Sequence, residues 1–200
     1  PKHWIAHAGL SAWEKAIMER FNVSEILARL MVNRDITTPE QIEAFLSSNV
    51  SQMHRPETMK DLLKAVDIIE KKIKDSKTIR IVGDYDVDGV ISTFVLYTAL
   101  RRCGAIVDYE IPDRIKDGYG INVSIIDAAY VDQIDTIITC DNGIAAIDQT
   151  AHAKELGMTM IITDHHDIMF SKEEKEVNGE IVEVTEYHIP QADAVVNPKQ

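Results

Sequence analysis

Four short stretches of this 200-residue sequence concentrate side chains that bind cations and move protons: Asp84-Tyr85-Asp86-Val87-Asp88-Gly89, Pro112-Asp113-Arg114, Asp141-Asn142-Gly143 and Asp164-His165-His166. Carboxylates gathered at one place repel. Two of them 4 Å apart cost about 4 kcal/mol at an effective dielectric near 20. Divalent metal or proton uptake must cancel that charge if Asp84, Asp86, Asp88, Asp141 and Asp164 share a cleft. A donor set dominated by carboxylate oxygen, with imidazole from His165 and His166, suits Mn²⁺ or Mg²⁺ better than a thiolate-seeking ion. So many oxygen donors could hold two ions, an arrangement that positions a water for in-line attack on a phosphorus ester. The chemistry expected is phosphoester hydrolysis, with Arg114 either clamping phosphate through its planar fork or pairing with a neighbouring Asp.

Convergence requires a particular scaffold. Each stretch follows a short apolar run, at 78–82, 106–111, 136–140 and 158–163, and helix-length segments at 89–103, 122–131 and 144–156 lie between. Strands alternating with helices predict an α/β fold, a parallel β-sheet with helices on both faces. In such a sheet all strand C-termini share one edge, where ligands bind and helix N-termini favour anions. A fifth strand is expected at Ala194-Val195-Val196. Asn178-Gly179 signals a type I′ hairpin within a charged insertion spanning 171–188. Upstream, apolar residues at three-to-four spacing predict an amphipathic helix from Thr58 to Asp75, with Lys71, Lys72 and Lys74 on a solvated face. Residues 1–57 read as short helices, one opened by the capping-box pattern Thr38-Pro39-Glu40-Gln41, and 58–200 as the α/β domain.

Two rival motifs fit less well. Asp84-x-Asp86-x-Asp88-Gly89 also opens a calcium-binding helix–loop–helix, but the acid required at loop position twelve falls on Val95. Asp86-Val87-Asp88-Gly89 after an apolar strand resembles the nucleophile loop of haloacid-dehalogenase-like phosphatases, whose chemistry has no use for Asp141 and a His-His pair on the next strand ends. His3, His7, His54 and His188 have no matching carboxylates and His152 falls on a helix; all five are assigned to surface or packing.

Composition narrows the class further. Lysine and arginine number 21 against 33 acidic residues, a net charge of −12, which argues against holding nucleic acid by bulk charge alone. A hydrophobic content of 45% excludes disorder, and no apolar run is long enough to span a membrane. Two cysteines, Cys103 and Cys140, both expected in apolar surroundings, are too few for a disulfide framework, and a cytoplasmic location is expected.

The same residues carry a family resemblance. Ile81-Val82-Gly83-Asp84-Tyr85-Asp86-Val87-Asp88-Gly89, Ile111-Pro112-Asp113-Arg114 with Gly118-Tyr119-Gly120, Thr139-Cys140-Asp141-Asn142-Gly143-Ile144 and Thr163-Asp164-His165-His166 resemble the motifs of the DHH phosphoesterases in order and spacing. Gly-Asp-Tyr-Asp-x-Asp-Gly with Pro-x-Arg and Gly-Tyr-Gly is similar to the RecJ branch, as are Asn33-Arg34-Asp35-Ile36 and the closing Ile189-Pro190 and Ala194-Val195-Val196-Asn197-Pro198. The resemblance implies a 5′→3′ exonuclease of single-stranded DNA acting in repair and recombination with Mn²⁺ or Mg²⁺. It implies that Asp84, Asp86 and Asp141 hold one ion and Asp88, Asp141 and His165 the other. His166 would face the scissile phosphate, Arg114 would contact phosphate near the 5′ end, and Asp164 would orient the histidines. Asp141, His165 and His166 are thus the expected catalytic residues. Single-stranded DNA is the implied partner, with single-strand-binding protein and a recombination helicase as further ones. The family also has another aspartate ligand and further domains beyond the matched stretch, so the chain is expected to be an N-terminal fragment. Two alternatives stay open: a DHH phosphoesterase of cyclic dinucleotides or short oligonucleotides, and a catalytically inactive DHH-fold scaffold.

Overall fold

A computed structural model describes residues 11–47, 49–115, 118–177 and 180–200. The chain divides into two compact units, Pro1–Arg55 and Pro56–Gln200.

The first unit holds three helices, α1 (Ala12–Phe21), α2 (Glu25–Val32) and α3 (Pro39–Ser47), around Ile17, Ala28, Met31 and Ile42. Each start is set by its cap. Ser11 and Ser24 accept from the first turns of α1 and α2, and before α3 Thr38 Oγ1 accepts from the Gln41 backbone N–H while Gln41 Oε1 takes the N–H groups of Thr37 and Thr38. His3 and His7 lie outside the described residues.

The second unit is the expected α/β sandwich. Its elements are α4 (Leu62–Lys74), β1 (Thr78–Val82), α5 (Val87–Arg102), β2 (Ile106–Glu110), α6 (Val123–Val131), β3 (Thr136–Cys140), α7 (Ile147–Glu155), β4 (Thr159–Thr163), β5 (Met169–Val177), β6 (Glu180–His188) and β7 (Ala194–Val196). Five strands pair in parallel in the order β2-β1-β3-β4-β7. Alternation along the strands divides the core. Ile79, Ile81, Ile138, Cys140, Ile161, Ala194 and Val196 face α4 and α5, whereas Val82, Ile137 and Met160 face α6 and α7. The central strand β3 is buried along its whole length, which explains its unbroken Thr-Ile-Ile-Thr-Cys composition. The chain steps outward from β1 to β2, then crosses back to β3 on the other side of β1. That reversal opens a crevice between the C-termini of β1 and β3, the topological position where such sheets bind ligands.

Three elements depart from the periodicity. α4 begins at Leu62 rather than Thr58, because Asp61 adopts a left-handed conformation (φ 59°) and its carboxylate accepts from Val195 N–H at 3.2 Å instead of capping the helix. α7 begins at Ile147 rather than Ile144, because the Ile144 N–H is taken by Asp164 Oδ2 at 2.9 Å. The 171–188 insertion is larger than its turn signal suggests: β5 and β6 pair antiparallel over nine residues each as a separate two-stranded sheet. Its Lys- and Glu-rich strands hide that β-structure from a propensity reading. Asn178-Gly179 lie outside the described residues.

Two surface assignments also change. Cys103 is exposed at the C-cap of α5, although Cys140 is buried as expected. Lys72 leaves the solvated face of α4 to pair with Asp135, which also meets Lys77 Nζ at 3.8 Å and accepts from Thr136 Oγ1 at 2.7 Å. Burial alone would raise the Asp135 pKa, but these hydrogen bonds and charges outweigh it and hold the group below its ordinary 3.8. A lowered native pKa gives stability that is complete above 3.8 and is lost as pH falls through the lower native value. Asp135→Asn is therefore expected to lower the urea midpoint at neutral pH, and the deficit should shrink on acidification. A deficit unchanged well below the ordinary carboxylate range would contradict this.

Candidate metal centre

The four motif stretches arrive at one rim as the strands end. β1 runs through Gly83 into Asp84, which is 2% exposed, and Asp86 then caps α5 by accepting from Gly89 N–H at 2.9 Å. Gly89 must lack a side chain, since a Cβ there would lie 2.5 Å from the Asp84 carbonyl oxygen. β3 ends at Asp141, buried and left-handed (φ 62°), followed by Asn142 with no exposed surface. β4 ends at Asp164, and His165 and His166 stand exposed beyond it.

Two groups of potential ligand atoms form, each within 4.8 Å: Asp84 with Asp86 and Asp141, and Asp141 with His165 and His166. Asp141 belongs to both. Its Oδ1 lies 2.9 Å from His165 Nε2. Asp88, carried on the first turn of α5, stands outside both groups and lines one groove with Asp141 and His165. His166, expected to face substrate, also falls within ligand distance of Asp141 and His165.

Asp164 is engaged by the protein itself. Oδ1 accepts from the N–H groups of His165 (2.7 Å) and His166 (3.1 Å) and lies 2.7 Å from His166 Nδ1, while Oδ2 takes Ile144 N–H. A carboxylate only accepts, so the His166 proton sits on Nδ1. Burial disfavours the charged imidazole, but the hydrogen bond to Asp164 and the charges of Asp164, Asp141 and Asp84 outweigh it and raise the His166 pKa. Burial, then the Asp86 charge, raises that of Asp141, against the lowering pull of His165 and His166.

Arg114 is exposed, with its guanidinium carbon 5.4 Å from the Tyr85 ring centroid, and it has no carboxylate ion pair among the described residues. The paired-Asp alternative for this arginine is therefore not realised there. His152 and His188 bond Asp127 (2.7 Å) and Ser171 (2.9 Å), away from the rim.

The sequence reasoning missed the rim's main staple. Asn142 Nδ2 donates to the carbonyls of Val82 and Cys140, both at 3.0 Å, and its Oδ1 accepts from Ile121 N–H at 3.1 Å. One side chain thus ties the ends of β1 and β3 to the loop carrying Tyr119. The motif placed Asn142 beside Asp141, but nothing local signals its two long-range bonds, to Val82 and Ile121. Tyr119 stands out in the sequence only as the centre of Gly118-Tyr119-Gly120, with no role attached: its hydroxyl lies 3.2 and 3.3 Å from the two His166 ring nitrogens.

The residues fit a divalent cation. Asp84 Oδ1 is buried without a hydrogen-bond partner among the described residues, a costly state for an anionic oxygen unless a cation meets it. Carboxylate oxygens with one or two imidazoles match Mn²⁺ or Mg²⁺.

The model of the DHH family, N-terminal domain, matches residues 78–200. The chain belongs to the DHH family. Among DHH relatives, the single-stranded-DNA-specific exonuclease RecJ of Bacillus subtilis is 40% identical over 153 residues, 76% of this chain and 20% of that protein. RecJ of Escherichia coli is 31% identical over 174 residues, 86% of this chain and 26% of that protein. The crystal structure of exonuclease RecJ bound to manganese superposes with a TM-score of 0.58 at 29% identity, covering 73% of this chain and 33% of that chain. RecJ in complex with Mn²⁺ from Thermus thermophilus shares the fold, with a TM-score of 0.59 at 22% identity over 94% of this chain and 23% of that one. The chain therefore spans about a fifth to a quarter of the length of these curated DHH relatives.

Replacing the staple tests its weight. Asn142→Leu leaves two buried carbonyls and one N–H unpaired, so a loss of roughly 2–4 kcal/mol is expected in urea unfolding of the chain. A loss within the range of surface substitutions would show that Asn142 does not hold the rim.

Proposed function

We propose that the rim is the metal centre of a phosphodiesterase that releases nucleotides from the 5′ end of single-stranded DNA, in repair and recombination. The observation that carries this reading is the membership of Asp141 in both ligand groups at the crevice between β1 and β3. The RecJ relatives, named single-stranded-DNA-specific exonucleases, support the substrate class.

Asp84, Asp86 and Asp141 would hold one ion, and Asp141 with His165 a second, to which Asp88 could swing from α5. Bound Mn²⁺ or Mg²⁺ would supply Lewis-acid polarisation of a phosphoryl oxygen and a more acidic water. The chain's own residues do the rest. Asp164 fixes the His166 tautomer by accepting from Nδ1, which leaves Nε2 free to face a phosphate or its leaving group. Arg114, held over Tyr85 and without an ion pair among the described residues, offers two parallel donors to a phosphate near the 5′ end. The exposed edge of the rim admits a flexible single strand, whose phosphates meet the N-terminus of α5 and Arg114 together.

Metal binding is read directly as a thermal shift, since a ligand of the native state alone stabilises it by mass action. Mn²⁺ should raise the melting temperature of the chain, and Asp141→Asn should remove most of that rise. Asparagine is chosen because it tolerates the left-handed backbone at this position. Turnover is then measured on the full-length protein with Mn²⁺, offered 5′-phosphorylated single-stranded DNA, duplex DNA and a cyclic dinucleotide in parallel. Mononucleotide release from single strands is expected, falling at least ~tenfold, or 1.4 kcal/mol of barrier, in Asp141→Asn. Cyclic dinucleotide turnover alone, or bound metal with no turnover, would overturn the reading.

A further inference from the structure

We propose that the cavity beside His166 is the subsite for the base of the nucleotide that follows the cleaved phosphate. The two histidines divide the rim into two recesses. His165 lines the groove on the α5 side, with Asp88, Ser92 and Asp141. His166 lines a separate cavity of about 460 Å³ on the α7 side, within the size range of small-molecule sites. Asp164 borders both. Strand order then sets a direction along the rim. Arg114 follows β2 and rests on Tyr85 beyond β1, the carboxylate cluster lies between the ends of β1 and β3, and the cavity lies past the ends of β3 and β4. Neighbouring strands are about 4.8 Å apart, so the cavity begins within one strand spacing of Asp141. A single strand with one phosphate at Arg114 and the next at the cluster delivers its following nucleotide there. That placement rests on the nuclease reading; the cavity's fit to a base does not.

The walls suit a flat, uncharged group. Ile121 and Ile144, both buried, supply apolar surface with Ala146, and the half-exposed Tyr119 adds a phenol ring. An anion finds little to hold it. No lysine or arginine lines the cavity, and its two carboxylates are already answered, Asp164 by four donors and Asp167 by Lys199 at 2.6 Å. A phosphate placed here would meet the charge of Asp164 without a new cation to offset it. Gln149 is different. It is the polar side chain of the wall that has no hydrogen-bond partner among the described residues. A primary amide presents a donor and an acceptor side by side, the pair that the edge of a base presents in return. Stacking on an aromatic wall tolerates any base, and the amide adds a preference among them.

Amide NMR of the metal-free chain reads the cavity without any cleavage. Deoxyadenosine, an uncharged carrier of a base, should shift the signals of Gly120, Ala145, Ala146 and the Gln149 side-chain amide, and the shifts should saturate. Deoxyribose and inorganic phosphate should leave them in place. Ala145→Trp, at an exposed position on the cavity wall, should fill the space and weaken binding at least ~tenfold. Gln149→Ala removes one neutral hydrogen bond and should weaken it by roughly two- to tenfold, which decides the matter if the tryptophan variant does not fold. No saturable shift, shifts elsewhere, the same shifts with phosphate, or unaltered binding in either folded variant would overturn the proposal. The placement is read in the full-length protein with Mn²⁺. An abasic residue directly 3′ of the cleaved phosphate should slow turnover at limiting substrate, and Ala145→Trp should erase the difference between abasic and intact strands. Equal turnover of the two strands by the unsubstituted protein would overturn the placement. No cleavage of either would end the nuclease reading and the placement with it, while the nucleoside titration still decides the base site.

Discussion

Mutual repulsion among carboxylates at the crevice between β1 and β3 is the constraint that shapes this unit. Three acidic side chains, Asp84, Asp86 and Asp141, bring ligand oxygens within 4.8 Å of one another. At an effective dielectric near 20, each such pair costs about 3–4 kcal/mol when both are charged. A chain of this size has a total stability of only some 5–15 kcal/mol. Such a cluster persists only because the surrounding backbone cannot relax away from it. Ile81, Val82, Ile137 and Ile138 are fully buried beneath the rim, so the strands that present Asp84 and Asp141 are fixed by the core of the sheet. A cation would relieve the repulsion without moving anything, which is the energetic meaning of a preorganised site.

Close backbone approach does as much as the core. The spacing Asp84-x-Asp86-x-Asp88-Gly89 resembles alternation along a strand, yet the strand stops at Val82 and the acids lie on a turn that climbs directly into α5. Asp86 caps the helix, Asp84 lies beneath it, and Gly89 lets the first helical turn press against the Asp84 backbone. A side chain at position 89 would push α5 off the strand and spread the carboxylates. The glycine is a condition of the cluster.

Local chemistry made much of this legible. The strands at Thr78–Val82 and Thr136–Cys140 are bounded as the sequence suggests, because β-branched runs flanked by Asp and Gly have few other uses. The capping box before α3 was equally local. Elements whose limits depend on distant partners were not legible: Asp61 delays α4 for a bond to β7, Asp164 delays α7 by taking the Ile144 N–H, and Lys72 leaves its helix face for Asp135. The convergence of the acidic motifs followed from one topological inference, parallel strands. The partners that hold them, Asn142 and Tyr119, are specified by tertiary position alone. Asp88, on the first turn of α5, lines the groove shared with Asp141 and His165 rather than joining Asp84 and Asp86.

Hydrogen-bond supply separates side chains that the sequence presents as alike. Asp164 receives four donors, from three backbone N–H groups and one imidazole, so its lone pairs are occupied by the protein. Asp84, just as deeply buried, has an oxygen with no partner among the described residues. Unpaired burial costs free energy that a cation returns, whereas saturated burial leaves a cation nothing to gain. The adjacent histidines divide in the same way. Past the end of β4, His165 reaches Asp141 while His166 reaches Asp164, with ring centroids 4.6 Å apart. One imidazole is thereby placed against a carboxylate of the shared cluster, and the other against a carboxylate already saturated by backbone. A His-His pair is needed because a single imidazole could not answer both.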